Sequence, residues 1–251
     1  SFGKTGFIEF TFPSSLVSIG NYAFHECKDL INISMDGIDF INISDGLFEG
    51  CSCLESIILP VSTTSIGEKS FVNTGIEYLI LPSTISIIKY GAFAHCSELR
   101  SVDLSKTMVS TLPAECFAYC TKLRDILLPD SLFIIGSGCF ARSGLRAIMF
   151  PRFVSLVNES AFLMCPKLQK ALLAHSSLVK ISMFCFTGCQ RLEEIDFPAT
   201  LVEIEKAAFA KTAIKEISLS TSVKVLGNIT FANCNKLEKA DLSNSQVAVI
   251  P

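Results

Sequence analysis

The chain has 251 residues, a formal net charge of −3 and a hydrophobic fraction of 49%. It contains no block of basic residues of the kind that neutralises nucleic-acid phosphates, which argues against nucleic acid as a partner. Pro, Ser, Asp or Lys interrupts each apolar run before it reaches the about 18 residues that a membrane span needs. We therefore expect no membrane insertion of this segment.

Phenylalanine recurs along the chain at intervals of 22, 24 and 23 residues, and three successive intervals make a unit of 69 residues. The recurring residues are Phe2, Phe24, Phe48, Phe71, Phe93, Phe117, Phe140, Phe162, Phe186, Phe209 and Phe231. A period of this length is typical of a solenoid, in which each repeat buries its apolar face against its neighbours. The sequence therefore predicts one continuous array over residues 1–251, with about ten repeats of about 23 residues.

Each repeat contains one short strand signal. Residues 123–128 have the pattern Leu-x-x-Ile-x-Leu, which predicts a short strand with Ile126 and Leu128 inward and Asp125 and Leu127 outward. Pro129 then ends the strand because it cannot donate a backbone hydrogen bond. The equivalent predicted strands, in chain order, are 7–12, 30–35, 54–59, 76–81, 99–104, 123–128, 145–150, 168–173, 192–197, 214–219 and 237–242. Stacked turns would join these strands into a parallel sheet.

The second half of each repeat turns the chain back. Ile135-Gly136 predicts a turn, and residues 137–141 have the pattern of a single helical turn that places Phe140 in the core. The predicted fold is therefore an α/β solenoid with a parallel sheet on one face and short helical turns opposite. Residues 2–7 repeat the pattern of 71–76, so the array starts within a repeat. We interpret the chain as a fragment of a longer array, and self-association through its uncapped ends is an expected consequence.

One motif runs along the whole chain. It reads Cys-x-x-Leu-x-x-Ile-x-Leu-Pro and then Ile-Gly-x-x-Ala-Phe-x-x-Cys, with residues 51–60 carrying the first half and residues 16–27 the second. On these motifs the chain resembles the BspA-like, or Treponema-type, leucine-rich repeat family. The 24-residue copies lack the proline, and the 22-residue copies replace the last cysteine at positions 74, 143 and 212. This alternation is similar to that of protist surface antigens of the family.

The resemblance implies a horseshoe whose strands line its concave face. It also implies a cell-surface or secreted protein that adheres, without catalysis, to a host matrix protein, a cell-surface protein or a glycan. The alternative interpretation is an intracellular scaffold of the same fold that assembles proteins in the cytoplasm. The many cysteines favour the alternative, since free thiols suit a reducing compartment.

Eleven cysteines are present, and seven of them occupy one repeat position. These are Cys27, Cys51, Cys96, Cys120, Cys165, Cys189 and Cys234. Zinc sites need cysteine pairs that converge from two places, whereas these cysteines follow the repeat, so we interpret them as small buried apolar residues. Cys116 and Cys139 occupy one position in adjacent turns, which leaves a disulfide between them open. We expect no metal and no cofactor.

No catalytic motif is found, and the three histidines, His25, His95 and His175, fall at three different repeat positions. We therefore expect that the protein is not an enzyme. Four Asn-x-Ser/Thr sequons permit N-glycosylation if the chain is secreted. Their asparagines are Asn32, Asn42, Asn158 and Asn228.

The outward positions of the predicted strands form two columns, polar at both ends of the array and apolar in the middle. An exposed apolar patch on a solenoid face indicates a binding surface. The candidate partner-binding residues are Ile58, Tyr78, Ile80, Asp103, Leu127, Met149 and Leu172. The alternatives are that β-favouring residues simply populate strands, or that outer loops cover this face.

Overall fold

The chain winds into a parallel β-solenoid of about ten turns, in a computed structural model that describes residues 1–35, 37–39 and 42–251. Each turn contributes a three-residue strand to one ladder and, in most turns, a two-residue strand to a second ladder. All strand pairs given by the structure are parallel, and they join strands of consecutive turns in register. Side chains at one repeat position therefore form columns along the solenoid axis.

The first ladder, here called the long-strand ladder, confirms the predicted strands, although each is shorter than predicted. Its members are β1 Glu9–Thr11, β2 Asn32–Ser34, β4 Ser56–Ile58, β6 Tyr78–Ile80, β8 Ser101–Asp103, β10 Asp125–Leu127, β12 Ala147–Met149, β14 Lys170–Leu172, β16 Glu194–Asp196, β18 Glu216–Ser218 and β20 Lys239–Asp241. The middle residue of each strand faces the core, as Ile33, Leu79 and Val102 show by being almost fully buried.

The second ladder, the short-strand ladder, was not predicted. Its members are β3 Asn42–Ile43, β5 Ser65–Ile66, β7 Ile87–Ile88, β9 Thr111–Leu112, β11 Ile134–Ile135, β13 Leu156–Val157, β15 Lys180–Ile181, β17 Glu203–Ile204 and β19 Val225–Leu226. Two residues are too few for a pattern of alternation to stand out in a sequence. A glycine follows three of these pairs, at Gly67, Gly136 and Gly227, so the sequence indicates a turn at this point of the repeat.

The unit of 69 residues appears as breaks in the two ladders. In the long-strand ladder, hydrogen-bonded pairing stops before β6, β12 and β18. Each of these, like β1 at the start of the ladder, follows a phenylalanine by one residue fewer than the remaining strands do. In the short-strand ladder it stops before β9 and β15, where the 24-residue repeats insert one extra residue after the long strand. The three-repeat alternation of the sequence is therefore an alternation of hydrogen bonding.

The recurring phenylalanines form one column of stacked rings inside the solenoid. From Phe24 to Phe231, neighbouring ring centroids are 5.1–5.7 Å apart with interplanar angles of at most 27°. All of them from Phe24 to Phe209 are at most 1% exposed. Removing one such ring by substitution with alanine typically costs about 3–5 kcal/mol, so this column is a large part of the folding free energy.

The predicted helical turns opposite the sheet are wrong. No α-helix occurs in the described ranges, and residues 137–141 form consecutive turns in place of the predicted helical turn. From Phe24 to Phe231, the residues two before and two after each stacked phenylalanine have positive φ, for example Gly138 at 60° and Arg142 at 57°. A left-handed residue every fourth position is incompatible with an α-helix.

Hydrogen bonds between turns explain this backbone conformation. The N–H groups of Glu115, Phe117 and Tyr119 donate to carbonyls of the next turn at 3.0, 2.8 and 2.8 Å. The N–H groups of this segment alternate in direction, so that every second one points along the solenoid axis. Such a backbone cannot also form the i→i−4 hydrogen bonds of a helix.

At Gly136 the neighbouring turn leaves no room for a side chain. A Cβ on Gly136 would lie 2.5 Å from the Ala114 nitrogen of the neighbouring turn, whereas a Cβ on Gly20, at the same repeat position, would meet nothing within 4 Å. We expect Gly136→Ala to lower the free energy of unfolding by about 1–3 kcal/mol, because the two backbones must separate. Gly20→Ala should leave it within about 1 kcal/mol of wild type.

Urea denaturation followed by circular dichroism measures both variants. Equal stability of Gly136→Ala and Gly20→Ala would contradict the close approach of the turns at Gly136.

Candidate functional site

The outward side of the long-strand ladder, here called the strand face, carries the candidate binding residues. Five exposed apolar side chains from four strands lie in its middle, with exposed fractions between 57% and 81%. We call them the apolar patch; they are Ile58, Tyr78, Ile80, Leu127 and Met149. They are exposed because the strand alternation that buries the middle residue turns the first and third residues outward.

The other two candidate residues differ in their surroundings. Leu172 pairs in register with Met149 and is only half-buried, so part of its side chain extends the patch. Asp103 lies between Ile80 and Leu127 in the same column. Its carboxylate accepts the N–H of Ser105 at 2.8 Å, and hydrogen bonding by Ser105 lowers the pKa of Asp103 below its usual value. A negative charge therefore interrupts the apolar column.

A column of arginines borders the patch, and the sequence analysis missed it. Arg100, Arg124 and Arg146 each precede a long strand in three consecutive turns, and the N–H of each later arginine donates to the carbonyl of the one before. Arg100 pairs with Glu77 through two hydrogen bonds of 3.2 and 3.3 Å. Comparing the second residue of each predicted strand across the repeats would have found this column.

The charged residues beyond the patch mostly pair with one another. Lys170 and Glu194, which are neighbours in register, lie 2.6 Å apart. Glu193 contacts both Lys215 and Lys236 at 3.1 and 3.2 Å, and hydrogen bonds from these lysines lower its pKa. Exposed pairs of this kind each contribute about 0–1 kcal/mol. The C-terminal part of the strand face is therefore polar, and its lysines and glutamates neutralise one another.

The seven repeating cysteines have a role that their spacing did not reveal. Each thiol donates a hydrogen bond of 3.0–3.2 Å to the backbone carbonyl of the recurring phenylalanine one turn earlier. At positions 74 and 212 a threonine hydroxyl donates to the carbonyl of the phenylalanine in its own turn. These cysteines are buried, except for the half-buried Cys234. They are therefore buried donors as well as small core residues.

All eleven cysteines are free thiols in the structure, so the pairing of Cys116 with Cys139 is not formed. Burial raises the pKa of the Cys51 thiol to about 12 and that of Cys96 to about 11. Within the described residues, no group of three or more His, Cys, Asp or Glu side chains is placed to hold a metal ion. Among the cysteines, Cys53 is the exposed one.

Thiol labelling checks this arrangement. At pH 8 the native protein should react rapidly with a disulfide reagent such as DTNB at Cys53, more slowly at Cys234, and hardly at all at the remaining thiols, because the reagent needs an accessible thiolate. All eleven should react after denaturation in guanidinium chloride. The variant Cys53→Ser should lose the fast phase, and a fast phase of several thiols in that variant would contradict the buried column.

The sequon asparagines lie at different places on the surface. Asn32 and Asn42 are exposed in strands and accept hydrogen bonds from the hydroxyls of Ser56 and Ser65. Asn228 is exposed in a turn, and Asn158 is half-buried. Glycosylation at these four residues stays a prediction.

The three histidines lie in three different environments. His95 stacks on Tyr119 with 4.5 Å between ring centroids, and His25 lies near Glu26 and Glu49. His175 is exposed in a loop. Each therefore has a surface environment of its own, at a different repeat position.

A known repeat family accounts for this architecture. The BspA type Leucine rich repeat region matches residues 1–52, 41–169 and 157–250, with six copies. The chain belongs to the BspA-type leucine-rich repeat family. Among the curated proteins compared, none matches. No helix in the described part of this family member is long and apolar enough to cross a membrane.

Solved structures with the same fold come from bacteria. A leucine-rich repeat protein of Bacteroides ovatus is 24% identical over 92% of this chain and 72% of its own, with a TM-score of 0.61. A leucine rich cell surface protein of Faecalibacterium prausnitzii is 23% identical over 88% and 62%, with a TM-score of 0.53. The pneumococcal vaccine antigen PcpA is 21% identical over 85% and 60%, with a TM-score of 0.50. At these identities the likeness shows the shared fold.

Proposed function

We propose that this BspA-type array is a non-enzymatic binding module that holds a protein partner on its strand face. The observation that carries the proposal is the apolar patch, five exposed side chains in the middle of an otherwise polar face. Large exposed apolar patches of soluble proteins mark interaction sites, and tyrosine and methionine, here Tyr78 and Met149, are enriched in interfaces. A glycan is the alternative ligand for the same face.

The proposal includes the whole of residues 1–251 as one uninterrupted array in a cell-surface or secreted adhesion protein. The family resemblance supports this location, and the same fold is used by a protein described as a cell-surface protein. The alternation of 22, 24 and 23 residues supports a surface antigen of the protist type. Self-association through the ends of the array stays a prediction.

An intracellular scaffold is the second candidate, and the eleven free thiols favour it. Intact mass of the protein from its natural source, before and after glycosidase treatment, decides between the two. N-glycans on the exposed Asn228 or Asn42 require the secretory route. A mass without glycans, together with eleven alkylatable thiols, favours the cytoplasm.

The double variant Tyr78→Ala, Leu127→Asp tests the binding face. Both side chains are exposed, so the fold should be kept. The alanine would leave a cavity and the aspartate would add a charge in the middle of the interface, so partner binding should weaken at least tenfold, or by about 1.4 kcal/mol. The ligands for this test are purified extracellular-matrix and cell-surface proteins that bind the wild-type chain, measured by surface plasmon resonance.

The matched control is Tyr22→Ala, Val61→Asp, which replaces a tyrosine by alanine and an aliphatic residue by aspartate at exposed positions away from the strand face. Its affinity should stay within threefold of wild type. Equal affinities of the two double variants would overturn the proposal that the strand face is the binding site.

A further inference from the structure

The strand face has one positively charged edge that no ion pair within the described residues neutralises. Arg124 and Arg146 are exposed, whereas Arg100 in the same column is paired with Glu77 and Lys170 is paired with Glu194. In the stretches that the structure describes, neither Arg124 nor Arg146 has an ion-pair partner. The two free guanidinium groups lie beside the strands that carry Leu127 and Met149.

Two carboxylates share this part of the face, and they do not neutralise the arginines. The carboxylate of Asp103 accepts a hydrogen bond from the N–H of Ser105. Asp125 follows Arg124 in the chain and is exposed, but no ion pair links it to Arg124 or Arg146 in the described residues. The charges are therefore ordered across the face, with arginine along one edge, Asp125 in the next column, and the apolar column beyond it.

The spacing of the turns indicates the shape of the segment that fits. Side chains of one column repeat at the spacing of the turns, which is 5.1–5.7 Å at the stacked rings and about 4.8 Å between paired strands. An α-helix lying along the solenoid axis presents one face of residues every 5.4 Å or so. An extended chain presents one every 6.6–6.8 Å or so and loses register by more than about 1 Å per turn.

We propose that the strand face binds one amphipathic α-helix of a partner protein, with the apolar side of the helix on the patch and acidic residues along the edge that faces Arg124 and Arg146. The inference rests on the proposed function, since it names the kind of partner for the same face. From Ile58 to Leu172 the face covers six turns, which a helix of about 18 residues spans at about 1.5 Å per residue. Helix-in-groove recognition of this kind uses anchors at i, i+3, i+4 and i+7.

A displayed peptide library tests the proposal without a known partner. It contains 18-residue peptides with the same randomised codons on two scaffolds, one rich in alanine that favours a helix and one with prolines that prevents it. Selection on the full chain should enrich the helical scaffold, with apolar residues at intervals of three and four and with Asp or Glu on one edge. Enrichment of the proline scaffold, or of basic edges, would overturn the inference.

Charge reversal then tests the pairing. The best acidic peptide should bind Arg124→Glu, Arg146→Glu at least tenfold more weakly than wild type, and the same peptide with lysine at its acidic positions should recover binding to that variant. Arg142→Glu, Arg152→Glu is the control with the same change of charge at exposed positions off the strand face, and its affinity should stay within threefold. Equal losses in both variants would contradict a specific acidic edge.

The variant Tyr78→Ala, Leu127→Asp separates the two proposals. Weaker binding of the selected peptides to this variant, with binding to the arginine-reversal variant as tight as to wild type, would overturn the proposal of a helix with an acidic edge and keep the strand face as the binding site. Unchanged affinity of the selected peptides for both variants would overturn both proposals. Loss of affinity in both variants, with rescue by the lysine peptide, is the expected result.

Discussion

Each turn of this protein is tied to the next by N–H groups that point along the solenoid axis around the stacked phenylalanine. The N–H of Phe117, for example, donates a hydrogen bond to the carbonyl of Cys139 in the next turn. The carbonyl of Phe93 accepts a hydrogen bond from the thiol of Cys120. These bonds need left-handed residues on both sides of the phenylalanine. Because every turn meets this constraint in the same way, all other positions of the repeat align from turn to turn.

That alignment turns a repeated sequence into continuous surface columns. The two ladders tolerate one residue fewer or one more, as their breaks before β6 and β9 show, while the phenylalanine column continues through both breaks. The ring column therefore sets the spacing, and the strands adapt to it. A chain built in this way can change its surface at one repeat without disturbing the core of the next.

The properties of the candidate site follow from columns and not from a cavity. An apolar column, an acidic residue and an arginine column lie side by side because Leu127, Asp125 and Arg124 are consecutive or nearly so in one repeat, and their equivalents stack in the next. Ion pairs such as Lys170–Glu194 join neighbouring turns elsewhere on the face. Within the described residues Arg124 and Arg146 have no such pair, whereas the other basic residues of this face, Arg100, Lys170, Lys215 and Lys239, each have a carboxylate within 4.0 Å.

The sequence by itself determined the solenoid, the long strands and the apolar patch, because each depends on a period that the chain repeats about ten times. It did not determine the conformation around Phe140, where local preference suggested a helix but hydrogen bonds to the next turn impose left-handed residues. Nor did it show that the Cys165 thiol donates to the carbonyl of Phe140, or that among the described residues Arg146 has no ion-pair partner while Arg100 pairs with Glu77. These features depend on which atoms of different turns meet, and only the register between turns decides that.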